Sequence, residues 1–365
     1  MTLQMQGPVG ARTVFDGREY DYYGGTGYLG LQTYPEVVQA GVAALERYGV
    51  STATSRGSYG EHPIYTELEQ AACTYFGAQK VLYFPSGYQG ISVLTQASGG
   101  RFEHVFIDAS AHFSLWDAAY ATNLPITPFH HLRAESLEAG LRAELSRGER
   151  PLLLSDGVFP ISGEIAPLPD YLALIRPYAG RIYLDDAHAV GVLGENGRGT
   201  PEHFGITDER CRTSGTLAKA LGGYGGVIWG AASWVDGIDR NSRVMVGASP
   251  PPLPVAAASA AGLRVAHRSP ELRRQLWTNV ARARGGIRAL GWDLPETPVP
   301  ILCLEARDGV DLLALKQGLF ERGIAVDLVR SYTSTPAGGA LRIAVFATHT
   351  AEQIDRLVET LARLV

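Results

Sequence analysis

Cysteine is scarce in this chain: three residues in 365, Cys73, Cys211 and Cys303, far apart and with no CxxC pair. That excludes a disulfide framework and a thiolate metal site, and it points to a reducing, cytoplasmic setting. An excess of positive charge is also missing. The formal net charge of -5 offers nothing to a phosphate backbone or an anionic membrane surface, so neither nucleic acid nor a membrane is expected as a partner. No stretch approaches the roughly 18 uninterrupted apolar residues of a membrane span, and the opening residues MTLQMQGPVGARTVF lack a basic segment followed by an apolar run. The expectation is a soluble, unexported protein. Repeats and low-complexity segments are absent, and 45% apolar with 19% charged residues leaves no disorder signature.

What is present is a regular alternation. Residues 1–50 read as an arm and a helix, with the turn GGTGYLG leading into PEVVQAGVAALERYG. From residue 51 to about 255, short apolar runs such as KVLYF, HVFIDA, PLLLSDG and RIYLDDA alternate with amphipathic stretches such as IYTELEQAACTYFG, HFSLWDAAYAT and LPDYLALIRPYAG. The apolar runs lack strict alternation, which suits strands covered on both faces by helices. The fold class is therefore α/β with a mostly parallel sheet, and chemistry is expected beyond the carboxyl ends of the strands. At the proline cluster SPPPLP the pattern changes to a long helical tract, SPELRRQLWTNVARARGGIRALG. Residues 256–365 then read as a smaller α/β domain.

Two segments carry chemistry. RIYLDDA ends in Asp185 and Asp186, with His188 close behind, so carboxylates and an imidazole stand at a strand end. By itself DDAH is equally well a solvated strand end with an aspartate helix cap. SGTLAKALGGYGG places Lys219 between short apolar residues and a glycine-rich turn, where desolvation favours the neutral amine that forms a Schiff base. Alone it reads as a surface lysine on a small-residue helix. Their occurrence together, in this order, favours a site.

LDDAHAVGVLGENGRG followed by SGTLAKALGG resembles the α-oxoamine synthase family of fold-type I pyridoxal-phosphate enzymes, which includes aminooxononanoate synthase and serine palmitoyltransferase. The likeness runs from YLGL through SGY, HFS and DGVFPISGEIAPL to ALRIAVFATHT. It implies a homodimer with shared active sites and pyridoxal 5'-phosphate held on Lys219, which also moves the substrate's Cα proton. Asp185 would pair with the pyridine nitrogen and make the ring an electron sink. His188 would bond the 3-oxygen, and His112 would stack on the ring. Ser86, Gly87, Tyr88 and Thr216 would surround the phosphate, which Ser249 would reach from the neighbouring subunit. Asp156 matches the family's acidic residue, and Arg342 its arginine for the substrate carboxylate.

The chain departs from the family pattern at Thr26 in place of asparagine, Tyr65 in place of histidine and Pro160 in place of serine, all on the substrate side. Thr26 and Tyr65 are kept as candidate substrate contacts, and Arg56 as a place where an acidic group could be met. The implied reaction is a decarboxylative condensation of an amino acid with an acyl thioester of coenzyme A or an acyl carrier protein, giving an α-amino ketone. The alternatives are pyridoxal-phosphate chemistry without a thioester (aldolase, aminotransferase or racemase) and a catalytically silent binding protein on the same fold.

Overall fold

The computed structural model describes residues 3–333 and 335–365. The chain begins with the hairpin β1 (Arg12–Phe15) and β2 (Arg18–Tyr22), then helices α1 (Pro35–Tyr48) and α2 (Pro63–Phe76). The alternating region follows: β3 (Lys80–Phe84), α3 (Gly90–Ser98), β4 (His104–Asp108), α4 (Phe113–Tyr120), β5 (Ile126–Phe129), α5 (Ala134–Glu144), β6 (Pro151–Asp156), α6 (Leu168–Ile175) and β7 (Arg181–Asp185). Next come α7 (Thr200–His203), β8 (Cys211–Thr216), β9 (Gly226–Gly230), α8 (Ala232–Asn241), α9 (Arg243–Gly247), α10 (Leu253–Arg268) and α11 (Pro270–Ala289). The remainder is β10 (Ile301–Glu305), α12 (Leu312–Glu321), β11 (Ile324–Ala325), β12 (Asp327–Val329), β13 (Ala340–Ala344) and α13 (Ala351–Leu364).

Seven strands form the central sheet in the order β3-β9-β8-β7-β6-β4-β5. The pairs from β8 to β5 are parallel, and β9 runs antiparallel to both its neighbours. The mostly parallel sheet read from the sequence is thus found, with one reversed strand. The uninterrupted apolar runs have the anticipated cause. Val105, Ile107, Leu152, Leu154 and Tyr183 face a core built with α3, α4 and α8. Their alternating neighbours Phe106, Leu153, Ile182 and Leu184 face a second core built with α5 and α6. A strand buried on both faces has no polar side to show.

Two small sheets complete the chain. The antiparallel sheet β10-β13-β12 forms one, while β11 pairs in parallel with β2, so the N-terminal hairpin folds against the C-terminal region. Asp21 fixes this junction, bonding Arg12, Gln353 and Arg356. As a result the arm passes straight into the mouth of the central sheet: Ala344 and Ala347 N–H donate to the carbonyls of Tyr23 and Tyr28.

The proline cluster differs from its sequence reading. Helix α10 starts there, with Pro254 in its first turn, where a missing N–H is harmless. It packs on α1 and α2. The sequence reading starts the helical tract only at Ser269, whereas a first helix already begins within the proline cluster. The three cysteines are free thiols, and among the described residues no helix is long and apolar enough to cross a membrane.

Candidate active site

Parallel strands deliver their carboxyl ends to one rim, and here three of them carry the decisive side chains. Asp156 ends β6, Asp185 ends β7 and Thr216 ends β8. Asp156 and Asp185 are directly opposite in the β6–β7 register, so two buried carboxylates lie side by side. Burial, then the neighbouring Asp185 charge, pushes the Asp156 pKa well above the usual carboxylate range. Its Oδ2 accepts the backbone N–H of His112 at 2.8 Å. Burial raises Asp185 as well, but Lys219, the Ala187 N–H donated to its Oδ1 at 2.9 Å, and His112 all oppose that rise and favour its charged form. Asp186 points elsewhere. It accepts from the Thr200 N–H at 2.8 Å and the Thr200 hydroxyl at 2.7 Å, so only one of the two tandem carboxylates faces the site.

Lys219 sits in the turn after β8, whose shape is set by Gly222 at φ +69°, bonded through its N–H to the Lys219 carbonyl. A Cβ on Gly222 would lie 2.5 Å from Leu31, so both the left-handed backbone and the close approach require glycine. Gln32 Nε2 donates to the same carbonyl at 2.6 Å. Burial lowers the Lys219 pKa to about 8, although Asp185 and Asp156 hold it up.

The cavity over these residues is lined by Ser86, Gly87 and Tyr88 on one side and by His112, Asp156, Asp185, His188, Thr216 and Lys219 on the others. Gly87 passes so close to Thr216 that a Cβ would stand 2.7 Å from its Cβ. The loop therefore approaches as bare backbone before α3 begins, a cradle suited to an anion. Ser86 Oγ accepts from Tyr88 N–H at 3.3 Å, and Thr216 Oγ1 bonds the Gly225 carbonyl at 3.0 Å. The Tyr88 hydroxyl donates to Asp117 at 2.5 Å.

A second cavity adjoins the first. His112, His188 and Lys219 line both, and Thr26, Pro160, Tyr332 and Arg342 line the outer one. Arg342, on β13, donates from Nε to the Pro160 carbonyl at 2.7 Å, from Nη1 to the Gly25 carbonyl at 3.1 Å and from Nη2 to the Tyr28 hydroxyl at 3.3 Å. Proline at position 160 does not impair this arrangement, since a carbonyl does the holding. Of the guanidinium's five N–H groups, two remain for a ligand. Tyr28 carries the contact onward, its hydroxyl standing 2.8 Å from His188 Nδ1. Burial, then the nearby Lys219 and Arg342 cations, keeps His188 neutral. Because Arg342 donates to the Tyr28 hydroxyl, that hydroxyl has its own hydrogen to give to Nδ1, an assignment that puts the His188 proton on Nε2.

Three sequence candidates fall outside both cavities. Tyr65 is buried on α2, where its hydroxyl donates to the Pro251 carbonyl at 2.7 Å and ties that helix to the start of α10. Arg56 is committed to Glu61 at 2.7 Å and Glu69 at 2.6 Å, its guanidinium over the Tyr65 ring. Ser249 is exposed and lines neither cavity. Conversely, Tyr28 and Tyr332 were given no role by the sequence reading. Tyr28 lies inside the YLGL motif and could have been singled out there, but SYT around position 332 carries no comparable signal.

The aminotransferase class I and II family model matches residues 20–361. The 8-amino-7-oxononanoate synthase of Methylococcus capsulatus is 36% identical over 359 residues, covering 98% of this chain and 92% of the relative. That of Geobacter sulfurreducens is 34% identical, with the same coverage. The chain belongs to the α-oxoamine synthase family of fold-type I pyridoxal-phosphate enzymes. Among solved structures, serine palmitoyltransferase from S. paucimobilis, with bound PLP and myriocin, matches this α-oxoamine synthase at a TM-score of 0.92 and 28% identity, covering 100% of this chain and 92% of that one. The Sphingomonas wittichii serine palmitoyltransferase matches equally well.

Proposed function

We propose that this enzyme condenses an α-amino acid with an acyl thioester, releasing thiol and carbon dioxide and forming an α-amino ketone. The observation that carries this reading is the desolvated Lys219 amine at the junction of two cavities, one floored by the Asp185 carboxylate and the other ending at Arg342.

The first cavity fits pyridoxal phosphate. Asp185 is a buried carboxylate that suits a ring N–H, His188 Nε2–H suits the 3-oxygen, and the bare Gly87 backbone with Ser86 suits the phosphate. When bound, the cofactor supplies a carbonyl for amines and a cationic ring that accepts electron density from Cα. The chain does the rest. Arg342 takes the substrate carboxylate on its two free N–H groups, which turns the Cα–H toward Lys219. Lys219, neutral at mildly alkaline pH, removes that proton. Asp156, accepting the His112 N–H, fixes that backbone and so the imidazole that stands over the site.

Finer features of the reading rest on the relatives. Their printed product, 8-amino-7-oxononanoate, breaks between its oxo and amino carbons into an alanine skeleton and a dicarboxylic half-thioester. Leu328 and Val329 in the outer cavity, with Arg330 exposed at its rim, support an acyl chain of that kind. The acyl carrier is coenzyme A in this proposal. A homodimer belongs to it too, supported by the exposed apolar residues Val38, Val42 and Leu45 along α1 and by the exposure of Ser249. So do a cytoplasmic setting, supported by three unpaired thiols, and a division into arm (1–50), cofactor domain (51–255) and small domain (256–365).

The test is thiol release from a panel of acyl-CoA thioesters, with cofactor-loaded protein and each common amino acid in turn. Release is expected with alanine and a dicarboxylic half-thioester. Preference for serine and a long saturated chain would instead match the activity named for the solved neighbours. No release at all, with cofactor bound, would favour an acyl-carrier substrate or thioester-independent chemistry.

A further inference from the structure

The loop between β12 and β13 brings one side chain across the cleft. Tyr332 sets its hydroxyl 2.7 Å from His112 Nε2, and its ring meets the edge of Phe113 at a centroid separation of 5.2 Å. His112 is the N-cap of α4, and its Nδ1 accepts the Ser114 backbone N–H at 3.2 Å, with Ser114 Oγ 2.8 Å away. An Nδ1 that accepts leaves the proton of the neutral ring on Nε2, so the imidazole donates to the phenolic oxygen. The phenol then has its own hydrogen to give. It lies in the outer cavity with Lys219 and Arg342.

Building on the proposed condensation, we infer that Tyr332 is a catalytic residue of the acyl-transfer step, donating its phenolic hydrogen to the oxygen of the acyl carbonyl. With the amino acid's carboxylate on Arg342 and its Cα at Lys219, the thioester must enter through the outer cavity, along the wall formed by Leu328, Val329 and Tyr332. The Cα electron pair forms a bond to the carbonyl carbon while the carbonyl π pair moves onto oxygen. That pair then returns, the carbon–sulfur bond breaks, and the thiolate leaves with the proton that Lys219 took from Cα. Negative charge rests on the oxygen between these events, and a donor already held in place stabilises it without reorganisation. Burial, then the proximity of Asp156, raises the phenol pKa, so the hydrogen is retained. Thr26 and Ser331 also bring hydroxyls to this cavity, but the Tyr332 oxygen is the one oriented by a side chain from the opposite side of the cleft.

The experiment compares holoenzyme with its Tyr332→Phe variant, which keeps the ring against Phe113. Two rates are measured: thiol release at saturating substrates, and exchange of the amino acid's Cα hydrogen for deuterium with no thioester present. Thiol release is expected to fall about 100- to 1000-fold, with Cα exchange within about twofold of wild type. Nitrogen NMR of His112 in the same variant should still show an Nε2–H imidazole. Unchanged thiol release in the variant overturns the inference. A parallel fall in Cα exchange also overturns it, because Tyr332 would then act only by positioning His112. A wild-type enzyme that releases thiol from neither acyl-CoA nor acyl-carrier-protein thioesters overturns the condensation reading itself, which separates the two failures.

Discussion

Burial strips water from Lys219, and the carboxylates around it make up only part of the loss. The Asp185 and Asp156 carboxylates favour the ammonium, yet burial outweighs them and brings the pKa from 10.5 down to about 8. An amine must be neutral to attack an aldehyde. The rate at which cofactor-free protein takes up pyridoxal phosphate should therefore rise with pH through about 8 and level off above it, as read from the Schiff-base absorbance. A midpoint near 10.5 would contradict the burial argument. Removing the opposing anion with Asp185→Asn should move the midpoint to lower pH. That Lys219, Asp185 and His188 would come to one cavity was legible because each lies within a short motif whose spacing is set by one strand and one turn. Tyr28 and Tyr332 were not, since their partners His188 and His112 are distant in the chain and only the fold brings each pair within 3 Å.

Elements hold these residues through a few buried links. His131, between β5 and α5, bonds Asp108 at the end of β4 at 2.8 Å and Glu164 at 3.2 Å. Glu164 belongs to the loop that also presents the Pro160 carbonyl to Arg342, so this link braces the floor of the substrate cavity. Burial disfavours the imidazolium, but Asp108 and Glu164 more than offset it and raise the His131 pKa to about 9. A folded-state pKa above the ordinary 6.5 contributes stability that is complete below 6.5 and is lost as pH rises through about 9. The variant His131→Gln should be less stable than wild type by on the order of 2 kcal/mol at pH 6. The gap should narrow steadily toward pH 9 in denaturant titrations, and a gap independent of pH would refute the ion-pair account. Element types were read well where the apolar pattern was clear, as in the short apolar runs of β6 and β7 and the long amphipathic tract of α11. Helix α10 and the reversed strand β9 escaped, one behind prolines and the other within glycine-rich sequence.

At the scale of the whole molecule, one face remains uncovered. Val38, Val42 and Leu45 follow one another along the outer side of α1 at helical spacing, each more than 40% exposed, with Tyr48 and Val50 just beyond. A contiguous apolar stripe of this kind suits the homodimer proposed above, in which a second copy of the chain would also bring Ser249 to a neighbouring phosphate. The variant Val42→Glu should shift sedimentation from dimer to monomer and lose bound cofactor on dialysis faster than wild type. A wild-type protein that sediments as a monomer with full activity would remove the basis for a shared site. The sequence by itself determined the α/β class, the mostly parallel sheet, the family and the motif-borne residues, because strand periodicity, loop glycines and strand-end chemistry are all local. The tertiary structure decided which candidates meet. It turned Asp186 to Thr200 and Arg56 to Glu61 and Glu69, withdrew Tyr65 into a helix contact, and brought Tyr28 and Tyr332 to the histidines. Those choices depend on register, crossovers and the return of the N-terminal hairpin onto β11. No window of neighbouring residues encodes contacts between segments that far apart.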